Sequence, residues 1–160
     1  TDCPRLSKYL KEVRKKCPEY YAKPVPSFGS THPELLVVGL APGLHGANAT
    51  GRAFTGDHAG ILLYQMLYKY GFSNNPISRN ANDSLKLKNS RITNAVRCLP
   101  PQNKPLGEEI DNCNHYLSEE LGNIKKSIDY YNKAIDINSN SVDAYINLSI
   151  SFEKWSALLE

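Results

Sequence analysis

The sequence predicts an α/β fold, a parallel sheet flanked by helices and followed by an α-helical hairpin, and three observations carry that prediction. A short apolar, β-branched run at residues 35–40 leads into a glycine-rich loop and then into an amphipathic pattern opening at Asp57, the order of a strand–loop–helix unit. A second apolar stretch at residues 91–97 runs into Pro100-Pro101, a pair that cannot continue a central strand. From Gly122 onward proline disappears and apolar residues recur at helical spacing. With 160 residues, 41% hydrophobic and 22% charged, the chain is globular and large enough for one substantial core. No apolar run approaches the roughly 18–20 residues of a membrane helix, so no membrane partner is expected.

In order along the chain, residues 3–17 form a basic amphipathic helix, with Leu6, Leu10 and Val13 on one face and Lys8, Lys11, Arg14 and Lys15 elsewhere. Those cations are either phosphate contacts or a solvated face. Residues 23–29 are an extended Pro/Gly segment, and residues 35–40 read as a buried strand. The stretch 41–57 holds four glycines and no periodicity, a loop long enough to suspect a function. Asp57 then stands at the N-cap of a helix with Ile61, Tyr64 and Leu67 on its pattern, ending at Gly71. Residues 73–90 are turn-rich, residues 91–97 are the second strand, and helix resumes at about 107–121. Ile124, Ile128, Tyr131 and Ile135, then Tyr145, Leu148 and Phe152, predict a hairpin whose turn is Asn138-Ser-Asn-Ser141. The expected division is residues 1–121 for the α/β domain and 122–160 for the hairpin, which resembles about one tetratricopeptide repeat.

The formal charge of +3 lies wholly in the first part, because four Lys/Arg face five Asp/Glu after residue 121. All 10 prolines and all 4 cysteines also precede Gly122. No secretory leader opens the sequence, so its cysteines are expected to be thiols or metal ligands in a reducing, cytoplasmic setting.

The glycine-rich loop is neither a P-loop, since no Gly-Lys-Ser/Thr follows, nor a Rossmann fingerprint, since GxGxxG does not occur. Its glycines instead leave backbone N–H groups approachable at the carboxyl end of a strand, where open α/β sheets bind ligands. The run Gly39-Leu-Ala-Pro-Gly-Leu-His-Gly-Ala-Asn-Ala-Thr-Gly-Arg-Ala-Phe-Thr-Gly-Asp57 resembles the first motif of the family 5 uracil-DNA glycosylases. Cys3-Pro-Arg-Leu6, Lys23-Pro-Val-Pro26, Ile92-Thr-Asn-Ala-Val-Arg-Cys98 with Pro100-Pro101, and Asn103-Lys-Pro105 with Glu109 and Cys113 match the family in the same order.

That resemblance implies a hydrolase of the N-glycosidic bond of uracil, and of some other deaminated bases, in DNA during base excision repair. An enzyme of this kind extrudes the base and holds it by stacking and by hydrogen bonds to its edge. By resemblance Phe54 stacks on the base, Asn94 reads its edge and Asp57 orients water, with Ala41, Gly43, His45 and Gly46 of the loop against the flipped nucleotide. Each has a plainer reading: Asp57 as helix cap, Phe54 as core, His45 as a surface residue. Asn94 inside an apolar strand needs partners whichever role it has.

The four cysteines, Cys3, Cys17, Cys98 and Cys113, contain no CxxC pair. The resemblance implies a structural [4Fe–4S] cluster, with Cys3, Cys98 and Cys113 on matching positions and zinc as the alternative. Cys17 stands either as the fourth ligand or as an ordinary thiol. The family's late His-Pro-Ser motif has no counterpart after Cys113, and the hairpin occupies its place. The expected glycosylase is therefore incomplete at its carboxyl end, and its activity weakened or lost. The alternative is a noncatalytic scaffold that binds a protein partner through the hairpin. Uracil-containing DNA on the nucleoid is the expected partner of the first reading.

Overall fold

The computed structural model describes the backbone of residues 3–137 and the side chains of residues 3–122. Helix α1, Pro4–Lys16, forms where the leucine and valine spacing places it, and it buries Leu6, Leu10 and Val13. Burying such a side chain contributes about 1.5–3 kcal/mol. Pro4 sits in the first turn, where no N–H is needed, and Arg14, Lys15 and Lys16 face the negative end of the helix dipole.

Strands β1 (Phe28–Gly29), β2 (Leu35–Gly39) and β3 (Ser90–Asn94) make a sheet in the order β1-β3-β2. The parallel pairing expected from the sequence holds for β2 and β3, running from Leu35 opposite Ser90 to Gly39 opposite Asn94. Strand β1 adds antiparallel to β3, with Phe28 opposite Ile92, so the sheet is mixed. Two residues are too few to leave an alternation in the sequence. The expectation that residues 35–40 are buried holds only in part. Among the described strands β2 lies at an edge and is half-buried, with Val38 38% exposed, whereas Ile92, Thr93 and Asn94 of the central β3 are buried.

Alternation along β3 brings helices to both faces. Ile92 packs with Tyr64 and Leu67 of helix α3, His58–Lys69. Arg91 donates to Glu120 of helix α4, Gly107–Ile137, at 3.0 Å, and Arg97 reaches the same carboxylate at 3.3 Å. A second apolar cluster joins Leu6, Leu10 and Val13 to Val96, Leu99 and three of the cysteines.

The connections are more ordered than their composition indicates. The 41–57 loop contains a one-turn helix, α2 (Ala47–Thr50), ended by Gly51 at φ 76°. Helix α3 begins at Asp57, whose side chain accepts from the Gly60 N–H at 3.2 Å, and ends at Gly71 with φ 79°. There Phe72 N–H donates to Leu67 O and Gly71 N–H to Tyr68 O, the paired bonds of a Schellman ending. Beyond β3, Ala95 and Val96 N–H still donate to Gly39 and Leu40 carbonyls, and the chain then folds into a 3₁₀ turn at Pro101–Asn103.

Helix α4 runs unbroken through residues 121 and 122, where the expected domain boundary lies. The rest of the expected hairpin, residues 138–160 with Tyr145, Leu148 and Phe152, lies outside the described residues, as does any partner surface it would form. Among the described residues no helix is long and apolar enough to cross a membrane.

Arg5 ties α1 to α4 through two bonds to Glu109, at 2.8 and 2.7 Å. That hydrogen bond outweighs burial and holds the Glu109 carboxyl below the usual range. Burial would raise Asp83, but bonds accepted from Arg79 N–H, the Arg52 side chain, Leu85 N–H and Asn80 N–H together hold it low. A carboxyl depressed by folding binds protons more tightly in the unfolded chain. Its stabilisation is therefore present above the unfolded carboxylate range, about pH 4, and is lost as pH falls through the folded value. Thermal melts between pH 7 and pH 3 should show Tm falling with acid, and Glu109→Gln should have a lower Tm at pH 7 and a shallower acid dependence.

Candidate active site

The register of β2 and β3 brings Gly39 and Asn94 side by side at the carboxyl ends of both strands. A Cβ on Gly39 would run into Asn94 Oδ1 and would lie 2.9 Å from the Phe54 ring, so only glycine permits this approach. Gly39, Ala41, Gly43, Phe54, Asp57 and Asn94, with Leu40, Ala47, Ala59 and Asn103, line one cavity of about 270 Å³. Five residues expected on the site, Ala41, Gly43, Phe54, Asp57 and Asn94, are thus brought together.

Asn94 is 7% exposed, and its side-chain amide has no hydrogen-bond partner among the described residues. Its amide atoms are not among the buried side-chain atoms left unpaired in the described residues, so they open onto the cavity, where both donor and acceptor are available to a ligand. Phe54 adopts φ 52°, a left-handed conformation unfavourable for an aromatic residue. Gly60 makes room for it, since a Cβ there would collide with the Phe54 carbonyl. The adjoining backbone is fixed from below by Arg52, 3% exposed, which donates to Asp83 at 2.7 Å and to Ser78 at 3.0 Å and stacks 4.2 Å over the Phe28 ring. Tyr64 OH donates to Ala53 O at 2.9 Å, and burial pushes the Tyr64 phenol up. Phe54 is therefore held in its strained conformation by the rigid segment on either side of it.

Asp57 caps α3, the plainer of its two expected readings, and also lines the cavity. Its Oδ1 caps α3 through Gly60, and its Oδ2 lies where a Cβ on Gly46 would come within 2.5 Å. Gly46 thus lies behind the carboxylate and does not line the cavity. His45 is exposed and bonded through Nδ1 to Tyr20 OH at 2.7 Å, also off the cavity wall. A larger cavity of about 400 Å³ shares Phe54 and Asp57 and is bounded on its far side by Gln65, Ile77 and Ser78.

The cysteines divide three to one. Cys3, Cys98 and Cys113 are buried and line a separate cavity of about 180 Å³ with Arg97, Asn112 and Tyr116. Cys17 ends α1 while Cys3 precedes it, so the 13-residue helix sets them about 20 Å apart. Of the two readings of Cys17, fourth ligand or ordinary thiol, this separation favours the second. Burial pushes the Cys98 thiol up to about 11, and the Cys113 and Cys3 sulfurs push it the same way. Soft thiol donors converging in a buried cavity fit a thiophilic metal group, whose positive charge would reverse that shift. Among the described residues no three His, Cys, Asp or Glu side chains are arranged to hold a single metal ion.

Sequence reasoning did not assign Gly39, Ala47, Ala59 or Asn103 to the site. The signal for Asn103 is Pro100-Pro101: a chain forced out of the sheet just past Asn94 turns back over the strand ends. Gly39→Ala should displace Phe54 or Asn94 and cost about 1–3 kcal/mol of stability as an overpacking change. Chemical unfolding, with side-chain amide resonances as a probe of Asn94, checks this; unchanged stability and an unmoved Asn94 resonance would refute the close-packing argument.

A family model described as the Uracil DNA glycosylase superfamily matches residues 26–132. The chain is 43% identical over 123 residues to a protein of Pyrobaculum aerophilum named Type-5 uracil-DNA glycosylase, covering 74% of this chain and 54% of that one. Proteins of the same name from Thermus thermophilus and Mycobacterium leprae are 46% identical over 125 residues and 47% over 124. These matches cover 75% and 74% of this chain and 57% and 54% of the relatives. The chain thus spans a little over half the length of these relatives. On the family model's match across most of the fold, the chain belongs to the Uracil DNA glycosylase superfamily.

Proposed function

We propose that the chain carries the base-reading and bond-cleaving part of a uracil-DNA glycosylase of base excision repair, acting on DNA on the cytoplasmic nucleoid. The observation that carries this is the cavity at the ends of β2 and β3, where an unpartnered amide, a strained aromatic residue and a carboxylate meet. An extruded base fits that chemistry. Phe54 offers a ring face for stacking, and the Asn94 amide accepts from the uracil N3–H while donating to a ring carbonyl. Cytosine presents the opposite pattern on that edge, so the amide discriminates against it in the orientation that accepts from N3–H.

Cleavage breaks the bond from C1′ to N1, with the electron pair leaving on the base. A water oxygen bonds to C1′, and its proton neutralises the departing base. Positive character grows on the sugar, so the Asp57 oxygen not engaged in capping both orients the water and stabilises the cation. The cap that fixes Asp57 is part of this role, because it removes the carboxylate's rotational freedom before reaction.

Cys3, Cys98 and Cys113 are read as ligands of a [4Fe–4S] cluster. Zinc, which also takes thiolate ligands, is the alternative occupant. The group's contribution is structural, joining α1, the segment after β3 and α4, since glycosidic hydrolysis transfers no electron.

A single-stranded oligonucleotide containing uracil, incubated with the protein and then treated with alkali, should be cut at the uracil. Asp57→Ala and Asn94→Ala should each lower the rate at least about 100-fold. A wild-type protein that releases no uracil, or variants that match it, would contradict the reading. The same preparation should contain iron and sulfide and absorb broadly in the visible, with Cys98→Ser losing both; a colourless protein containing zinc would overturn the cluster.

A further inference from the structure

We propose that Arg97 and Asn112 are positioning residues for the metal group of Cys3, Cys98 and Cys113, Arg97 compensating thiolate charge and Asn112 donating an N–H to the Cys3 sulfur. This rests on the cluster reading above. It concerns how firmly the group is kept, and not the bond that is cleaved. Both side chains line the cavity of the three cysteines. Asn112 Nδ2 donates to Cys3 Sγ at 3.6 Å, although the two residues lie 109 positions apart. A thiolate accepts far better than a thiol, so the bond strengthens once Cys3 is a ligand.

Arg97 precedes Cys98 in the chain, and its guanidinium is fixed on three sides. It lies 4.1 Å from the centre of the Tyr116 ring, and its Nη2 donates to Ser27 Oγ at 3.2 Å and to Glu120 Oε1 at 3.3 Å. The remaining Nε–H is buried and has no partner among the described residues. A buried donor left unpaired is costly, and a thiolate is an acceptor where a thiol is only a weak one. Arg91 donates to the same Glu120 oxygen at 3.0 Å, and among the described residues neither arginine has another ion-pair partner. Two cations on one carboxylate leave a positive charge uncompensated at the cavity wall. The Arg97 side chain is 19% exposed, so water screens that charge only in part.

Thiolate ligands outweigh the positive charge of an iron–sulfur core, which makes the assembly anionic. Net charge and hydrogen bonds to the sulfurs are two of the levers that set its potential. A fixed cation and an N–H donor both favour the more negative, reduced state and draw electron density from sulfur. Together they raise the midpoint potential and slow oxidative loss of the group.

Protein loaded with iron and sulfide, as wild type, Arg97→Gln, Arg97→Lys and Asn112→Leu, tests this through two readouts. One is the midpoint potential by electrochemistry on a protein film, and the other is the decay of visible absorption in air. Arg97→Gln and Asn112→Leu should each have a lower potential than wild type and lose their colour about tenfold faster. Arg97→Lys keeps the charge but not the planar fork on Tyr116, and should stay close to wild type in potential. Equal shifts in Arg97→Gln and Arg97→Lys would mean a merely structural role and overturn the part of Arg97. A potential unchanged in Arg97→Gln or in Asn112→Leu overturns the part of that residue. Should Arg97→Gln fail to fold, Asn112→Leu, at an exposed position of α4, decides alone: a lower potential supports the inference and an unchanged one overturns it. A wild-type protein that takes up no iron, or is colourless with zinc, would instead bring down the cluster reading, and this inference with it.

Discussion

The parallel pairing of β2 with β3 is the constraint on which the rest depends, because it ends with Gly39 directly opposite Asn94. A one-residue slip would turn Ile92 away from α3 and take Asn94 off the strand ends. The absence of a side chain at Gly39 then lets the Phe54 ring and the Asn94 amide close over the same backbone. The place of the Asn94 amide beside Gly39, and the space the Phe54 ring fills there, are thus set by hydrogen-bond register.

The remaining groups are brought to that point from two sides. Arg52, buried beneath the glycine-rich segment, bonds to Ser78 and Asp83 and fixes the stretch leading to Phe54 and Asp57. On the other side, Arg5 and Glu109 clamp the turn after Pro100, and the cavity of Cys3, Cys98 and Cys113 adjoins the same segment. Arg91 and Arg97, sharing Glu120, fasten β3 and its continuation to α4. The ion pairs of this fold chiefly position the segments that form the site.

How much was legible in the sequence depended on whether a feature leaves a local pattern. Helices α1 and α3 were readable because the first repeats leucine and valine at three and four residues, and the second starts at a capping aspartate and ends at a glycine. Asn94 was readable because a polar residue in an apolar strand demands a reason. Strand β1 was not, since two residues carry no period, and α2 hid in the glycine-rich loop for the same cause. The change of composition at residue 122 does not end α4, because losing proline and cysteine alters character without stopping a helix. Cys17 matched the other thiols in type, yet a helix of 13 residues carries it away from them. Asn103 enters the cavity only through the turn after Pro100, a three-dimensional fact that no spacing rule contains.

The central claim is that the cavity at the end of β2 and β3 reads the edge of a uracil base through Asn94. Titrating the protein with two short single strands that differ only in uracil or cytosine at one position, and following side-chain amide and aromatic resonances, tests it most directly. The account predicts that the uracil strand shifts the Asn94 amide pair and the Phe54 ring while the cytosine strand leaves both near their starting positions. Equal shifts for the two strands, or shifts confined to residues away from that cavity, would contradict it.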